Sequence, residues 1–535
     1  MSKHIFVTGG VVSGLGKGIT ASAIGRLLKA CGLKVTAQKF DPYINVDPGM
    51  MDPLEHGEVF VTEDGAETDL DLGHYERFID VELNKYSSLT TGKIYWNVLR
   101  KERAGDYRGE TIQVIPHITD EIKSFIYEVG ASSEADVVIT EIGGTIGDIE
   151  GQPYLEAIRQ IALEKGKSEV MFVHVSLVPY MEASHEYKSK PTQHSVRELQ
   201  SMGISPDVIV VRAPGHINDS IRRKIALFCN VKPDHVIENR DITQLYEAPL
   251  MLEEQNISSI IMKQLGIDSG PPDLSDWKEM LARVAARDKL VNIGLVGKYT
   301  KLHDAYYSIA QALKHAGYEV GAKINVKWID SADVIENRES EILSDVDGII
   351  VPGGFGKPGV TGMIRATRYA RENNIPYLGI SMGMHVAVIE FARNVLALKG
   401  ANSTEFDDDP AEPVICLMPD DDGNTPNGGV MRLGAYPCVA VPGSGLESMY
   451  GFSSFNERHR HRYEFNNDYR DKFNDKGMIV AGQSPDGRFV EAIEIPDCDF
   501  FIAVQYHPEF KSRPNRSHPL FREFIRSATK QKYEG

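Results

Sequence analysis

A glycine-rich run, Gly9-Gly10-Val11-Val12-Ser13-Gly14-Leu15-Gly16-Lys17-Gly18, follows the apolar segment 4–8 and precedes a helical pattern from Ile19. A strand–loop–helix order of this kind lets backbone N–H groups converge on an anion, and the helix N-terminus adds a favourable dipole. Lys17 supplies a point charge for the β- and γ-phosphates of a nucleotide. The run is a variant phosphate-binding loop. Its glycine-to-lysine spacing is longer than usual, and Gly18 stands where a Ser or Thr hydroxyl ordinarily ligates Mg²⁺. The metal therefore falls to carboxylates elsewhere. Asp69-Leu70-Asp71 offers two, and Glu141 is expected at the end of an apolar strand over 136–140, the edge where ligands of parallel sheets bind. Lys188 and Lys190 lie close together in an expected extended loop. With Asp148 and Glu150, whose carboxylates suit ribose hydroxyls, they point to a second nucleotide site.

A different chemistry centres on Ser381, in Gly379-Ile380-Ser381-Met382-Gly383. Upstream lies Gly353-Gly354-Phe355-Gly356, a loop suited to an oxyanion; downstream lies His507-Pro508-Glu509, a base with an orienting carboxylate. These surroundings resemble the elbow of class I glutamine amidotransferases, whose pattern is Gly-x-Cys-x-Gly. Here the thiol is a hydroxyl. A free thiol ionises near pH 8.5, a hydroxyl far higher, so a site shaped for thiolate–imidazolium chemistry is expected to use serine poorly.

These groups must be held by more than one core, because 535 residues predict two or three domains. The hydrophobic fraction of 42% and charged fraction of 25% are those of a globular protein. A net charge of −18 argues against nucleic acid as a bulk partner. No apolar run is long enough to span a membrane, and the N-terminus enters a strand pattern with no signal-peptide character. Five scattered cysteines (Cys31, Cys229, Cys416, Cys438, Cys498) predict a reducing, cytoplasmic setting. Apolar strands alternate with amphipathic helices in both halves. This predicts an α/β protein of two doubly wound, mostly parallel-sheet domains, 1–266 and 291–535, joined by a linker over 267–290 with a helix at 274–287. The breaker cluster 268–273 opens that linker, a strand over 291–296 opens the second half, and the acidic stretch 407–429 reads as a surface insertion.

The first half also carries Phe40-Asp41-Pro42-Tyr43-Ile44-Asn45, His56-Gly57-Glu58-Val59 and Gly65-Ala66-Glu67-Thr68-Asp69-Leu70-Asp71-Leu72-Gly73-His74-Tyr75-Glu76-Arg77-Phe78. On these runs it resembles the P-loop-like synthetase domain of the CTP synthase family, and the resemblance extends over essentially the whole chain. It implies ATP-dependent amination of UTP through a 4-phosphorylated intermediate, with Mg²⁺ as cofactor, GTP as allosteric effector, CTP as feedback inhibitor and a homotetramer that forms filaments. It implies ATP contacts from Ser13, Gly14, Leu15, Gly16, Lys17, Gly18, Ile19, Lys39 and Asp71, and metal ligation by Asp71 and Glu141. UTP or CTP would meet Ser13, Asp148, Ile149, Glu150, Lys188, Lys190, Gln193 and Lys224. Glutamine would meet Gly354, Met382, His385, Glu405 and Arg462. His56, Arg108 and Arg460 would lie on the ammonia route. In the family the basic segment 458–464 faces the synthetase domain; without that context it reads as a solvated strand.

Several positions depart from the family pattern. Its elbow reads Gly-Ile-Cys-Leu-Gly-Met-Gln, against Ser381, Met382 and His385 here. Arg108 replaces a Leu in Gly-x-Tyr-Leu-Gly, His303 a Pro, and Met50 a Thr. Three readings stay open: a CTP synthase that takes ammonia or another small amine in preference to glutamine; an ordinary glutamine-hydrolysing enzyme carrying an engineered Cys-to-Ser change; and a weakly catalytic regulatory or filament partner of an active enzyme.

Overall fold

The computed structural model describes residues 2–418 and 430–534. The chain divides into two compact units. One holds the chain up to Met50 together with Thr68–Leu281; the other holds Met51–Glu67 together with the chain from Ala282 onward. The segment 51–67, placed by sequence within the first domain, thus belongs with the second unit.

In the first unit seven strands form a parallel sheet: β1 (Lys3–Gly9), β2 (Val35–Asp41), β3 (Ser88–Thr90), β4 (Val137–Ile142), β5 (Val170–Leu177), β6 (Val208–Ala213) and β7 (Val236–Arg240). Their order is β7-β6-β5-β1-β4-β2-β3. The central strands are near-continuous runs of Val, Ile and Phe because both faces are covered, as parallel sheets require. With β5, β1, β4 and β2 adjacent and parallel, the segments after their carboxyl ends share one edge. That edge gathers the glycine loop, residues 143–151, residues 178–190 and the end of β2. Glu141 lies inside β4 rather than after it.

Helix α1 (Lys17–Ala30) starts two residues before Ile19, and Gly16, at φ 82°, makes the turn into it. Helix α2 (Asp71–Ile79) presents Asp71 in its first turn. The expected extended loop with the two lysines ends sooner than predicted, because α3 (Lys190–Ser201) begins at Lys190 with Pro191 in its first turn. The predicted linker is ordered around α4 (Ser275–Ala285). Trp277 on that helix is fully buried, donates from its indole to the Tyr246 carbonyl at 2.7 Å and lies under the Arg26 guanidinium.

The second unit carries a nine-stranded sheet of β8 (Lys289–Gly297), β9 (Ala322–Asp330), β10 (Gly348–Val351), β11 (Tyr377–Ile380), β12 (Arg432–Ala440), β13 (Ser454–His461), β14 (Ile479–Gln483), β15 (Val490–Glu494) and β16 (Phe501–Val504). The order is β9-β8-β10-β11-β16-β15-β14-β12-β13. Pairings from β9 through β16 are parallel and those beyond are antiparallel, so the sheet is mixed. Ile349 and Val351 pack in one core layer and Ile350 in the other, the period-two alternation of a strand covered on both sides. Helix α5 (Met382–Asn394) follows β11 and is buried along most of its length. The expected insertion 407–429 contains a strand, Glu412–Leu417, paired with Tyr463–Phe465 and Ala401–Ser403; residues 419–429 lie outside the described residues.

Carboxylates tie 51–67 into the second unit. Glu58 accepts the Ser308 N–H at 2.8 Å and the Ser308 hydroxyl, Glu63 pairs with Arg458 at 3.0 Å and Lys511 at 2.9 Å, and Glu67 pairs with Arg460 at 2.8 Å. Burial alone would raise the Glu63 carboxyl, but Arg458 and Lys511 hold it below its ordinary value of 4.5. Its stabilising contribution is therefore complete above the unfolded carboxylate range and is lost as pH falls through the lower folded value. Glu63→Gln should lower the thermal midpoint at neutral pH and leave a shallower acid limb. Acid limbs that run parallel for the two proteins would show that the pair adds no stability.

Candidate functional site

In the first unit Lys17 reaches back along the glycine loop and donates to the Gly144 carbonyl at 2.6 Å. A Cβ on Gly9 would lie 2.5 Å from the Lys17 stem, and one on Gly10 would overlap the Ser195 hydroxyl. The loop can therefore lie this close only as glycine. Behind it, His174 bonds Thr8 at 2.9 Å and Ser195 at 2.7 Å, and burial lowers this histidine to about 3.

Gly18 explains why the loop has no Ser or Thr there. A Cβ at this position would sit 2.8 Å from Asp71 Oδ1 and 3.3 Å from Glu141 Oε2. Two carboxylates converge on the space a hydroxyl would occupy. Tyr75 donates to the same Glu141 oxygen. Lys39, directly opposite Glu141 in the sheet register, is hydrogen-bonded to Asp71 and lies 3.4 Å from Asp41 and 3.7 Å from Asp69. Burial, opposed by Lys39 and reinforced by neighbouring carboxylates, raises the Asp41 carboxyl to about 7 and that of Asp71 to about 6. Burial would lower the Lys39 ammonium, but the surrounding carboxylates lift it well above its ordinary value. Among the described residues no three or more His, Cys, Asp or Glu side chains form a complete metal cage. Mg²⁺ does not require one, since it commonly takes one or two carboxylates with phosphate oxygens and water. The converging Asp71 and Glu141 oxygens fit that role.

The other residues expected around nucleotides share this edge. Ser13 is exposed in the glycine loop. Asp148 accepts the Thr145 N–H at 2.7 Å, and Ile149 and Glu150 are exposed beside it. Lys188 pairs with Glu186, whose carboxylate also feels Lys224. Lys190 is exposed at the start of α3, and Gln193 bonds Ser189 at 2.9 Å. Arg108, expected on the ammonia route, is exposed in a turn at φ 53°.

The second unit builds its site on the β11–α5 elbow. Ser381 has φ 52° and ψ −105°, a strained conformation, and its N–H is tied to the Val504 carbonyl at 2.7 Å. The flanking glycines are required by close approach: a Cβ on Gly383 would lie 2.1 Å from the Val351 carbonyl oxygen, and one on Gly379 2.7 Å from that of Gly383. His507 Nδ1 bonds Glu509 at 2.7 Å, which leaves Nε2 buried without a hydrogen-bond partner among the described residues. Gly353 separates base from hydroxyl; its Cβ would meet His507 Cε1 at 2.9 Å and Ser381 Cβ at 3.7 Å. Ser381, His507 and Glu509 line one cleft with Gly354, Phe355, Glu58 and Arg460.

The loop 353–356 is fixed from behind. Lys298 donates to the Phe355 carbonyl at 3.0 Å and to the Gly356 carbonyl, while Glu405 accepts the Gly356 N–H at 2.7 Å. Burial lowers Lys298 to about 8 and raises Glu405. Met382 lies against Gly354, Glu405 is bonded to the same loop at Gly356, and Arg462 is half-buried beside Tyr463. His385 does not line the cleft. Its ring is buried, bonds Gln505 at 2.9 Å and is lowered by burial to about 4. Arg460 stacks over Phe355 at 4.8 Å; His56 is half-buried in the 51–67 segment. Arg458 is fully buried, so the solvated-strand reading of 458–464 fails: its guanidinium holds Glu63 and the Val61 carbonyl. Lys298 and Asp41 escaped the sequence reading, although each stands at the carboxyl end of a strand, the place where such sheets bind ligands.

Residues 3–267 match the model of the CTP synthase N-terminus, and residues 301–527 that of the class-I glutamine amidotransferase. The chain is similar to the CTP synthase of Caldanaerobacter subterraneus subsp. tengcongensis, 57% identical over 98% of each chain. It is 56% identical, over 99% of each chain, to that of Staphylococcus aureus. A solved Trypanosoma brucei CTPS glutaminase domain with bound acivicin is 37% identical, with a TM-score of 0.43, over 45% of this chain and 94% of that one.

Proposed function

The chain belongs to the CTP synthase family, and from that premise we propose that it aminates UTP with free ammonia far better than with glutamine. ATP phosphorylates O4 of the uracil ring, ammonia adds at C4, and inorganic phosphate leaves with the oxygen. Phosphorylation is required because the oxygen of an amide-like carbonyl is a very poor leaving group. Lys17 and Lys39 neutralise the phosphates, Lys188, Lys190 and Lys224 receive the UTP triphosphate, and Asp148 and Glu150 take its ribose. Asp71 and Glu141 would hold Mg²⁺, which when bound supplies charge neutralisation at the transferred phosphoryl group. The observation that carries this half is the convergence of Asp71 and Glu141 on Gly18 beside two lysines. That intact set also speaks against a merely regulatory partner.

The glutaminase half rests on Ser381. Its elbow, glycine loop and His507–Glu509 pair suit acyl transfer, but the hydroxyl replaces the thiol that the resemblance implies. The strained elbow, the clamped glycine loop and the His507–Glu509 pair favour a second reading, an ordinary glutamine-hydrolysing enzyme carrying an engineered Cys-to-Ser change at Ser381. CTP feedback, GTP activation, a homotetramer and filaments complete the proposal on family grounds. Measuring CTP formation with ammonium salts and then with glutamine tests it; robust glutamine-dependent synthesis by the unaltered chain would overturn it. Asp71→Asn and Glu141→Gln should each raise the Mg²⁺ concentration needed for half-maximal synthesis, by about tenfold, without unfolding the protein. Mg²⁺ titrations that overlay the parent would remove both residues from the metal site.

A further inference from the structure

We propose that Asp41 is a positioning residue for phosphoryl transfer, the partner that receives the Lys39 ammonium when a divalent cation takes Asp71 and Glu141. The inference rests on the reading of Asp71 and Glu141 as the cation's ligands. Lys39 and Asp41 are two apart on β2 and so project from the same face, with Glu141 opposite Lys39 on β4.

In the structure Lys39 is hydrogen-bonded to Asp71, the carboxylate that also faces the space beside Gly18. A divalent cation there requires Asp71 with its charge unshared, and an ammonium at the same oxygens repels it. Lys39 must therefore leave Asp71 without leaving the site. Two carboxylates stand within reach. Asp69 Oδ1, at 3.7 Å, already accepts the Asp71 N–H at 3.0 Å. Asp41 Oδ1, at 3.4 Å, is nearer, and Asp41 Oδ2 is buried without a hydrogen-bond partner among the described residues, although the residue is only 5% exposed. A buried carboxylate oxygen left without a donor is costly, and a second position of the Lys39 ammonium removes that cost. The transfer moves one positive charge from the metal-facing carboxylate to the strand end, where it stays beside the glycine loop.

Mn²⁺ binding to the full-length chain, followed by electron paramagnetic resonance of the free ion, tests this apart from activity. Asp71→Asn should weaken binding by about tenfold or more; if it binds as the parent does, the metal reading and this inference fall together. With that arm satisfied, Asp41→Asn should weaken Mn²⁺ by about tenfold, because Lys39 then stays on Asp71. Lys39→Met should tighten it by a similar factor, and adding Asp41→Asn to Lys39→Met should change nothing further. An Asp41→Asn protein that binds like the parent overturns the proposal. So does an equal weakening in the Lys39→Met background, which would make Asp41 a direct ligand. Should Asp41→Asn fail to fold, Lys39→Met alone decides: unchanged or weaker Mn²⁺ binding refutes the exchange.

Discussion

Lys17→Ala is expected to cut ammonia-driven CTP formation by about a hundredfold or more, the cost typical of removing one preorganised group at a developing charge. Lys17 is the cation of the glycine loop, and its stem lies against Gly9. Lys39 does not make up the loss, since the carboxylates of Asp41, Asp69 and Asp71 offset much of its charge. Burial lowers the Lys17 ammonium, so a phosphate that takes over its bond to Gly144 gains a partly desolvated donor. Steady-state rates at saturating ATP, UTP and ammonium decide the matter. Undiminished turnover would show that this loop is not the ATP site.

Ser381→Cys should raise glutamine hydrolysis from near background by about a hundredfold or more. A thioester route needs a nucleophile that ionises readily and later leaves, and serine offers neither. The rest of the apparatus stands ready: a strained elbow, a base whose buried Nε2 has no hydrogen-bond partner among the described residues, and a loop clamped by Lys298 and Glu405. Thiol-directed glutamine analogues should label the variant and spare the parent. Ammonia-driven synthesis should be the same in both. Restored glutamine-dependent CTP formation would mean that pocket and ammonia route are intact. Hydrolysis without synthesis would implicate Arg108, and Arg108→Leu should then reopen the route. No hydrolysis at all would show that the pocket itself has changed, with Met382 against Gly354 the first residue to revert.

Much of this was legible because chemistry and geometry share a cause. The order strand, glycines, lysine, helix read from the sequence recurs as β1, the glycine loop and α1, and glycines at 379 and 383 are forced by backbone approaches under 3 Å. Parallel strands were readable from their unbroken apolar runs. What stayed hidden depends on contacts between segments distant in sequence. Asp41 looks like an ordinary residue before proline until Lys39, Asp69 and Asp71 close around it. Lys298 acquires meaning only from carbonyls 57 and 58 residues away. His385 was expected among the glutamine contacts because it stands where the family elbow has a Gln, and nothing in the local sequence announces that its buried ring bonds Gln505, 120 residues away. The basic run 458–464 has the charge of a surface strand, and its burial depends on glutamates some 390 residues earlier.

The placement of 51–67 bears on how such enzymes can be recombined. A chimera cut near residue 266 would bring a relative's version of this segment with the donor's first half, while Arg458, Arg460 and Lys511 came from the recipient. Glu63 and Glu67 of one parent would then have to meet the guanidinium and ammonium groups of the other. The natural unit of exchange is discontinuous: a graft that keeps its cleft must carry 51–67 along with the carboxyl-terminal half.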